Sequence, residues 1–579
     1  MRVARRERKT EFHFSGVHDV LARVYAHRGV AAAGELDLGL QSLVAPASLP
    51  DIDKAAERIA RAVQSGEPIL IVGDFDADGA TSVALCMLVL RDFGAEQVDF
   101  LVPNRFEYGY GLSPEIVALV RDQPPAVLIT VDNGVSSVEG VAAANELGID
   151  VVITDHHLPG NERPAAFALV NPNVPESDFA SRALAGVGVA YYVLSVVRRK
   201  LEAAHWFERR TMPNLANYLD LVALGTVADV VPLDVNNRRL VHHGLQRIRA
   251  GRCRPGIKAL AEIGKRSLPK LLASDLGFAI GPRLNAAGRL DDMTVGIKCL
   301  LAEELGEARR LATSLDQLNR ARQSLESEMV ADAELLLAIA EEQSTEVEGG
   351  EDVGPATRFG VAVYHENFHQ GVVGIVAGRL RERINRPAIV FADAGGDHPD
   401  ELKGSARSIE GLHIRDALDR IATRNPGLVV KFGGHAMAAG LSIKRVHFKR
   451  FQKIFDKTVA ELVDPEALEA VILSDGALVP EEMTVETANL LAHGGPWGAG
   501  FAPPVFDGSF QLVSQRVVGE QHLKMVLKIE GRVIDAIAFR QAPLPQDTRE
   551  VEVVYQLTVN DFGEWPTAQL IVEYVRPLA

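Results

Sequence analysis

The chain has 579 residues, 47% hydrophobic and 24% charged, with a formal net charge of −16. That length exceeds a single hydrophobic core and implies three or four domains, and so ordinary a composition excludes a disordered, collagenous or disulfide-stapled chain. The most apolar run, Val83 to Leu90, is far too short to span a bilayer. The three cysteines, Cys86, Cys253 and Cys299, stand too far apart for a disulfide framework or a zinc site, which fits a reducing cytoplasm. The expectation is therefore a cytoplasmic protein with no membrane attachment. The basic start, Met1 to Thr10, lacks an apolar signal core and reads as a disordered tail. The acidic balance argues only weakly against a nucleic-acid partner. Carboxylates that hold cations count as negative in a sequence, and a basic groove can be local.

Taken in chain order, an N-terminal segment (1–65) precedes an alternation of short apolar strands and helices. Strands are expected at Ile69–Val72, Val98–Val102, Val127–Val131, Val151–Thr154 and Ala168–Val170, with helices at Thr81–Phe93, Pro114–Asp122 and Ser136–Leu147. Such alternation means a parallel sheet covered on both faces, with ligands at the carboxyl ends of its strands. A largely helical part, from about 183, completes this unit at residue 300. Residues Glu307 to Gln343 contain neither Gly nor Pro and are rich in helix formers. Between a helical hairpin and one connecting helix over 301–345, the polar loop after it favours the single helix. A second α/β unit (346–465) starts with a strand at Phe359–Val363, a Gly-rich helix start at Gly371–Gly374 and a strand at Ala388–Phe391. The remainder, 466–579, is a linker followed from Val505 by alternating β-rich runs, the pattern of a small β-barrel.

Chemistry concentrates at three strand ends. Gly73-Asp-Phe-Asp-Ala-Asp-Gly-Ala-Thr-Ser82 follows the first strand and opens a helix. One Asp there is an ordinary helix cap. Three, at Asp74, Asp76 and Asp78, repel one another unless cations neutralise them, and divalent ions prefer such oxygen ligands. The third strand ends in Asp132 and the fourth in Asp155-His156-His157; parallel strands bring these ends to one edge. A lone His would more often be structural, whereas a His pair after an Asp, opposite an Asp cluster, is better explained by metal ligation with supporting partners. Asp229 lies in an otherwise apolar run and needs a partner of its own. Mostly carboxylate with one or two imidazoles favours Mn²⁺ or Mg²⁺ over structural zinc. The oxygens suffice for two ions, the arrangement suited to in-line hydrolysis at phosphorus. His242-His243 reads as a solvated or capping pair, Trp206 and Trp497 as buried packing, and the Glu-rich face of the long helix as solvated.

The Asp155-His156-His157 run, with the Asp74–Asp78 cluster, Asp132 and Asp229, resembles the DHH phosphoesterase superfamily. The resemblance to its bacterial single-strand-specific exonucleases extends over nearly the whole chain. It is carried further by Val102-Pro-Asn-Arg-Phe-Glu-Tyr-Gly-Tyr-Gly-Leu-Ser113, Gly281-Pro-Arg-Leu-Asn-Ala-Ala-Gly-Arg-Leu290, Lys403-Gly-Ser-Ala-Arg-Ser408 and Phe432-Gly-Gly-His-Ala-Met-Ala-Ala-Gly440. Phe368 departs from the family pattern, which has Trp before His369.

The resemblance implies an α/β multidomain fold: a parallel-sheet DHH domain, a long connecting helix, a DHH-associated α/β domain and a C-terminal OB-like barrel. It implies two Mn²⁺ or Mg²⁺ ions held by Asp74, Asp76, Asp78, Asp132, His156 and Asp229, with His157, Asp132 and Asp155 in catalytic roles. It places Asn104, Arg105, Arg283, Asn285, Arg289, Ser405, Arg407, Gly434 and His435 on DNA or its phosphates, in a cleft sized for one strand. The implied activity is 5′-to-3′ removal of mononucleotides from single-stranded DNA in repair and recombination. The implied partners are a single-stranded-DNA-binding protein, through its acidic tail, and a DNA helicase. The alternatives are a superfamily phosphodiesterase for short oligonucleotides or cyclic dinucleotides, which needs no barrel, and a non-catalytic strand-binding scaffold, in which the aspartates are lost.

Overall fold

The structure, a computed structural model, describes residues 2–104, 111–346, 359–395, 398–519 and 521–578. The chain divides into two compact units, Ala4–Asn319 with Leu473–Ala579, and Met1–Val3 with Arg320–Ile472. Among the described residues no helix is long and apolar enough to cross a membrane.

The first unit is built on five parallel strands, β1 (Ile69–Gly73), β2 (Val98–Leu101), β3 (Val127–Val131), β4 (Asp150–Thr154) and β5 (Ala168–Val170), in the order β2-β1-β3-β4-β5. Every residue of β3 is buried, as expected of a strand covered on both faces. The chain steps outward from β1 to β2, then returns to β3 on the other side. The carboxyl ends of β1 and β3 therefore frame the switch point where ligands bind in such sheets.

Helix α1 (Ala77–Asp92) begins four residues before the expected start, because the Asp76 carboxylate accepts from the amides of Asp78 and Gly79 and caps it. The helix expected over Pro114–Asp122 is only Pro114–Ala118. Beyond it the backbone tightens into i→i+3 bonds, such as Val120 N to Val117 O, on the way to Pro124-Pro125.

Helices α2 (Gly186–Ala203), α3 (Leu219–Ala228) and α4 (Gly281–Leu290) complete this part. Residues of the N-terminal segment, among them Val20, Val24, Ile52 and Ile59, are buried in the same core as the sheet. The expected basic tail is instead a strand, Arg2–Arg5. Arg5 pairs with Asp507 at 2.9 Å and Arg6 lies 3.7 Å from Asp475, acids remote in sequence.

Helix α5 (Leu305–Glu346) is a single 42-residue helix that starts in one unit and ends in the other. The second unit carries a mixed sheet of β6 (Val361–Tyr364), β7 (Ala388–Asp393), β8 (Glu401–Arg407), β9 (Lys431–Gly434) and β10 (Ala438–Lys444), ordered β9-β10-β8-β7-β6. Only β6 and β7 run parallel, joined through helix α6 (Val373–Ile384).

The C-terminal strands β11 (Phe506–Val518), β12 (His522–Ile529), β13 (Arg532–Ala538), β14 (Glu550–Asn560) and β15 (Thr567–Pro577) close a barrel in the order β11-β12-β13-β15-β14. Leu523, Met525 and Leu527 point inward at alternate positions and are fully buried. The barrel core is continuous with the core of the parallel-sheet domain. The buried Asp475 carboxylate is gripped by both Arg28 guanidinium nitrogens at 2.6 and 2.8 Å, and the Leu233 amide donates to the Ala499 carbonyl at 2.7 Å. Cutting the chain near residue 500 would therefore expose core rather than release a module.

Candidate metal centre and active site

Three loops and one helix end meet at the switch point. Asp74 follows β1 and is buried, with its Oδ1 accepting from the Phe75 amide at 2.8 Å. Gly79 keeps this loop tight, since a Cβ there would press on the Asp74 backbone. Asp132 follows β3, is buried, and adopts the left-handed backbone (φ +62°). Gly186, the first residue of α2, lies so close that a Cβ would sit 2.6 Å from the Asp132 Oδ1. Asp78 reaches across to that helix start, accepting from the Gly186 amide at 2.6 Å and the Val187 amide at 3.0 Å. Asp229 ends α3.

Candidate ligand atoms of Asp74, Asp76 and Asp132 lie within 4.8 Å of one another, as do those of Asp78, His156 and Asp229, and those of Asp132, His156 and His157. Like charges packed this closely resist ionisation. Burial and the facing Asp76 push the Asp78 carboxyl up to about 7. Burial, then Asp78 and Asp76, hold Asp132 and Asp229 well above the ordinary carboxylate range.

His156 supplies the test of whether a cation fits. Its ring is hydrogen-bonded to the Leu184 carbonyl, an acceptor only, so that nitrogen carries the proton. Burial, then the neighbouring His157, lower its pKa to about 4, so the ring is neutral at physiological pH. Nε2 therefore turns a bare lone pair toward Asp132 Oδ1 at 3.1 Å and Asp229 Oδ2 at 3.6 Å. A lone pair facing ionised carboxylate oxygens is repulsive until a proton or a cation lies between them, and a divalent cation can take the proton's place. The donor set, oxygen-rich with one oriented imidazole, fits Mn²⁺ or Mg²⁺.

His157 differs. Burial lowers its pKa, but the bond from Nδ1 to Asp155 Oδ1 at 2.8 Å, with Asp74 and Asp76 nearby, outweighs this and raises it to about 8. Asp155 joins none of the ligand groups among the described residues. Its oxygens accept from the amides of Val135, His156 and His157 at 2.8, 2.7 and 3.1 Å, so it shapes the turn and holds the His157 ring. Burial opposes its charge, but these bonds prevail and keep its carboxyl below the ordinary range.

Two supports escaped the sequence reading. Asn171 Nδ2 donates to the His157 carbonyl at 2.9 Å and Asn173 Nδ2 to the His156 carbonyl at 2.6 Å, clamping the His-His backbone. The Asn171-Pro-Asn173 run after β5 was the available signal.

The expected DNA contacts divide. Asn285 Oδ1 accepts from the Ala77 amide at 2.7 Å, and Arg283 is paired with Asp316 at 2.8 Å and bonded to the Ala279 carbonyl. Both hold protein groups through the atoms named, Asn285 with its carbonyl oxygen and Arg283 with part of its guanidinium. Arg289 and Asn104 are partly exposed, and Arg105 lies outside the described residues. In the second unit, Arg407 Nη1 donates to Ser405 Oγ at 3.0 Å on β8, while Gly434 and His435 are exposed at the end of β9. His243 is bonded to the Leu38 carbonyl, Trp206 to the Phe93 carbonyl, and Trp497 is stacked on Phe501, all packing roles.

A parallel sheet with clustered aspartates and a His-His turn at its switch point, followed by a second α/β unit, defines a metal-dependent phosphoesterase of the DHH class. Residues 68–226 match the DHH family, N-terminal domain, residues 357–461 the DHHA1 domain, and residues 474–574 the RecJ OB domain. The chain belongs to the RecJ family. It is 51% identical over 566 residues to the single-stranded-DNA-specific exonuclease RecJ of Escherichia coli (strain K12), covering 96% of each chain. It is 48% identical over 572 residues to that of Haemophilus influenzae, covering 97% of this chain and 96% of the relative. The crystal structure of RecJ in complex with Mn²⁺ from Thermus thermophilus superposes with a TM-score of 0.80 at 28% identity, covering 97% of this chain and 76% of that one.

The crowded carboxylates make metal binding a pH-dependent stabiliser. A carboxyl whose folded pKa is raised binds more protons folded than unfolded, so stability is lost as pH rises from its ordinary value of 3.8 through about 7 for Asp78. In chelator, the melting temperature of the parallel-sheet unit should fall across that window, and the gain on adding Mn²⁺ should widen by several degrees between about pH 5 and 8. Melting curves with and without Mn²⁺ test this; a gain independent of pH would remove the cation from the site.

Proposed function

We propose that the protein is a single-stranded-DNA-specific exonuclease that works 5′ to 3′, releases 5′-mononucleotides and serves DNA repair and recombination. The observation that carries this reading is the convergence of Asp74, Asp76, Asp78, Asp132, His156 and Asp229 at one switch point, in a chain whose three matched domains follow the RecJ order. Two Mn²⁺ or Mg²⁺ ions, when bound by these residues, supply a nucleophilic water and neutralise charge on the phosphate oxygens. His156 is held neutral and oriented by Leu184, ready to ligate. His157, protonated at neutral pH and fixed by Asp155, donates to a non-bridging oxygen of the scissile phosphate, and so favours the charge that grows there. Asp132 and His156 each fall in two of the three groups, and Asp132, the carboxylate of the pair, is the ligand suited to be shared by two ions.

Asn104, Arg105, Arg283, Asn285 and Arg289 contact DNA phosphates around this centre, and Arg283 and Asn285 also fix α4 to α5 and to the aspartate loop. Ser405 and Arg407, with Gly434 and His435, hold phosphate in the DHH-associated domain. The proposed partners are a single-stranded-DNA-binding protein, through its acidic C-terminal tail, and a DNA helicase. The domains follow as 1–65, 66–300, 301–345, 346–465 and 466–579.

A timed digest of end-labelled single and blunt double strands with Mn²⁺ tests the activity. A 5′ label should appear at once as mononucleotide, a 3′ label as a shrinking ladder, and blunt duplex should resist. Release from the 3′ end, or equal rates on blunt duplex, would overturn the reading. Cleavage confined to dinucleotides would replace it with a short-oligonucleotide phosphodiesterase.

A further inference from the structure

One helical segment braces the whole metal centre. It opens as a π-helical turn, Leu276–Ile280, and runs on as α4. At its far end a Cβ on Gly288 would clash with the Phe75 carbonyl, and Asn285 holds the Ala77 amide, so α4 lies directly against the aspartate loop. At its near end Gly281 touches Ala228, and a Cβ on Gly277 would lie 3.7 Å from the Val227 carbonyl oxygen. That same oxygen accepts from the Val230 amide at 3.3 Å. Gly277 and Val230 therefore meet at one carbonyl, immediately beside Asp229.

Their apolar neighbours are not buried. Phe278 is 84% exposed and Val230 is 66% exposed. Val230 also holds the left-handed backbone, φ +63°, which a β-branched residue rarely adopts. A π-turn and a strained β-branched residue each cost stability, and such features gather where function retains them. The π-turn buries Leu276, Ala279 and Ile280, but neither the Phe278 nor the Val230 side chain contributes to the core.

We infer that Phe278, which follows the Gly277 backbone lying near Val230 and Asp229, is a stacking platform beside the metal centre for the base of the nucleotide being removed. The inference rests on the exonuclease reading and adds a base contact to it. A group bound next to a phosphodiester at this centre must be flat and apolar on its faces and polar at its edges, which describes a nucleobase. Stacking on an aromatic face is available to every base, so the platform grips a strand without reading its sequence. It also favours a single strand, because a base within a duplex is already stacked on both faces.

The test uses the full-length protein and pairs Phe278→Ala with strands carrying one abasic residue at the first, second or third position from the reacting end. With intact strands, Phe278→Ala should raise KM about tenfold, as loss of one base–aromatic stack implies, with an unchanged melting temperature because the ring is exposed. Phe278→Trp should retain wild-type KM. At one of the three positions the abasic strand should cost the wild type about as much, and cost the variant nothing further. The same strands with 2-aminopurine at that position, bound in EDTA, should be quenched by the wild type and not by Phe278→Ala. Additive losses at every position, or a KM unchanged by Phe278→Ala on strands that the wild type degrades, would overturn the platform. A wild type that neither binds nor degrades single strands would overturn the exonuclease reading instead. Selective loss of a protein partner by Phe278→Ala, with KM intact, would assign the patch to that partner and reject the platform.

Discussion

Asp132→Asn should lower turnover by about 10²–10³-fold or more while leaving the fold standing. Asp132 stands with Asp74 and Asp76 in one candidate ligand group and 3.1 Å from His156 Nε2 in another, so its loss removes a charged oxygen common to both. Asparagine is the informative substitution because position 132 adopts φ +62°, which Asn tolerates and Ala does not. The fold should survive for an electrostatic reason. Burial and four facing carboxylates, Asp78 foremost, already penalise the Asp132 charge, so removing it relieves repulsion in the metal-free protein. Two measurements are needed together: single-turnover cleavage at saturating Mn²⁺, and melting in chelator. The expected pair is lost cleavage with a melting temperature at or above wild type. Cleavage at the wild-type rate would mean that Asp132 holds no ion that matters. A collapsed melting temperature would mean that its backbone position, not its charge, is what the site needs.

Arg407→Ala should raise KM about 10- to 100-fold on 5′-phosphorylated strands, the loss implied by one or two charge-assisted hydrogen bonds, and far less on 5′-hydroxyl strands. The guanidinium is mostly buried on β8, and burial, then the nearby Arg381, lowers its pKa. Its hydrogen bonds run to Ser405 Oγ at 3.0 Å and the Ala406 carbonyl at 2.9 Å, and among the described residues no carboxylate lies within ion-pair distance. A half-desolvated cation with neutral partners is poised for an anion. The space beside it is kept open by Gly374, where a Cβ would sit 3.1 Å from both Arg407 Nη2 and Ser405 Oγ, and α6 starts there with the positive end of its dipole. A terminal phosphate carries more charge than an internal one, so the end reader should show its largest effect on that substrate. Because the contact is made alike in ground and transition states, kcat should move little. Arg407→Lys should restore only part of the binding, since an ammonium cannot form the paired bonds. Equal losses on both kinds of end would assign Arg407 to internal phosphates.

Much of this molecule is a local property of its chain. Buried strands such as Val127–Val131 announce themselves by continuous β-branched and apolar residues, and Leu305–Glu346 by the stretch from Glu307 to Gln343, rich in helix formers and without Gly or Pro. Asp74, Asp132 and His156 are legible because a strand's end is set by its own residues, and parallel strands must bring like ends to one edge. The alternation of the last 75 or so residues similarly dictates a closed sheet, because each inward side chain needs a core.

Partnership is different, because it depends on what folding brings from a distance. Nothing near Asp78 reveals that both its oxygens would be taken by amides 108 and 109 residues away. The bare nitrogen of His156 depends on the Leu184 carbonyl, and its neutrality on burial that only packing produces. Arg283 and Asn285 carry the residue types of DNA contacts, and nothing in their local sequence reveals that Asp316 and the Ala77 amide also bond to them. The basic N-terminus reads as a disordered tail, yet Arg2–Arg5 forms a strand, with Arg5 paired to Asp507. Phe278 sits in the kind of apolar run that normally marks core, yet within the π-turn its ring is exposed while Leu276 and Ile280 are buried. Residue type and period are carried by near neighbours along the chain, whereas the charge, tautomer and exposure of a functional group are set by neighbours in space.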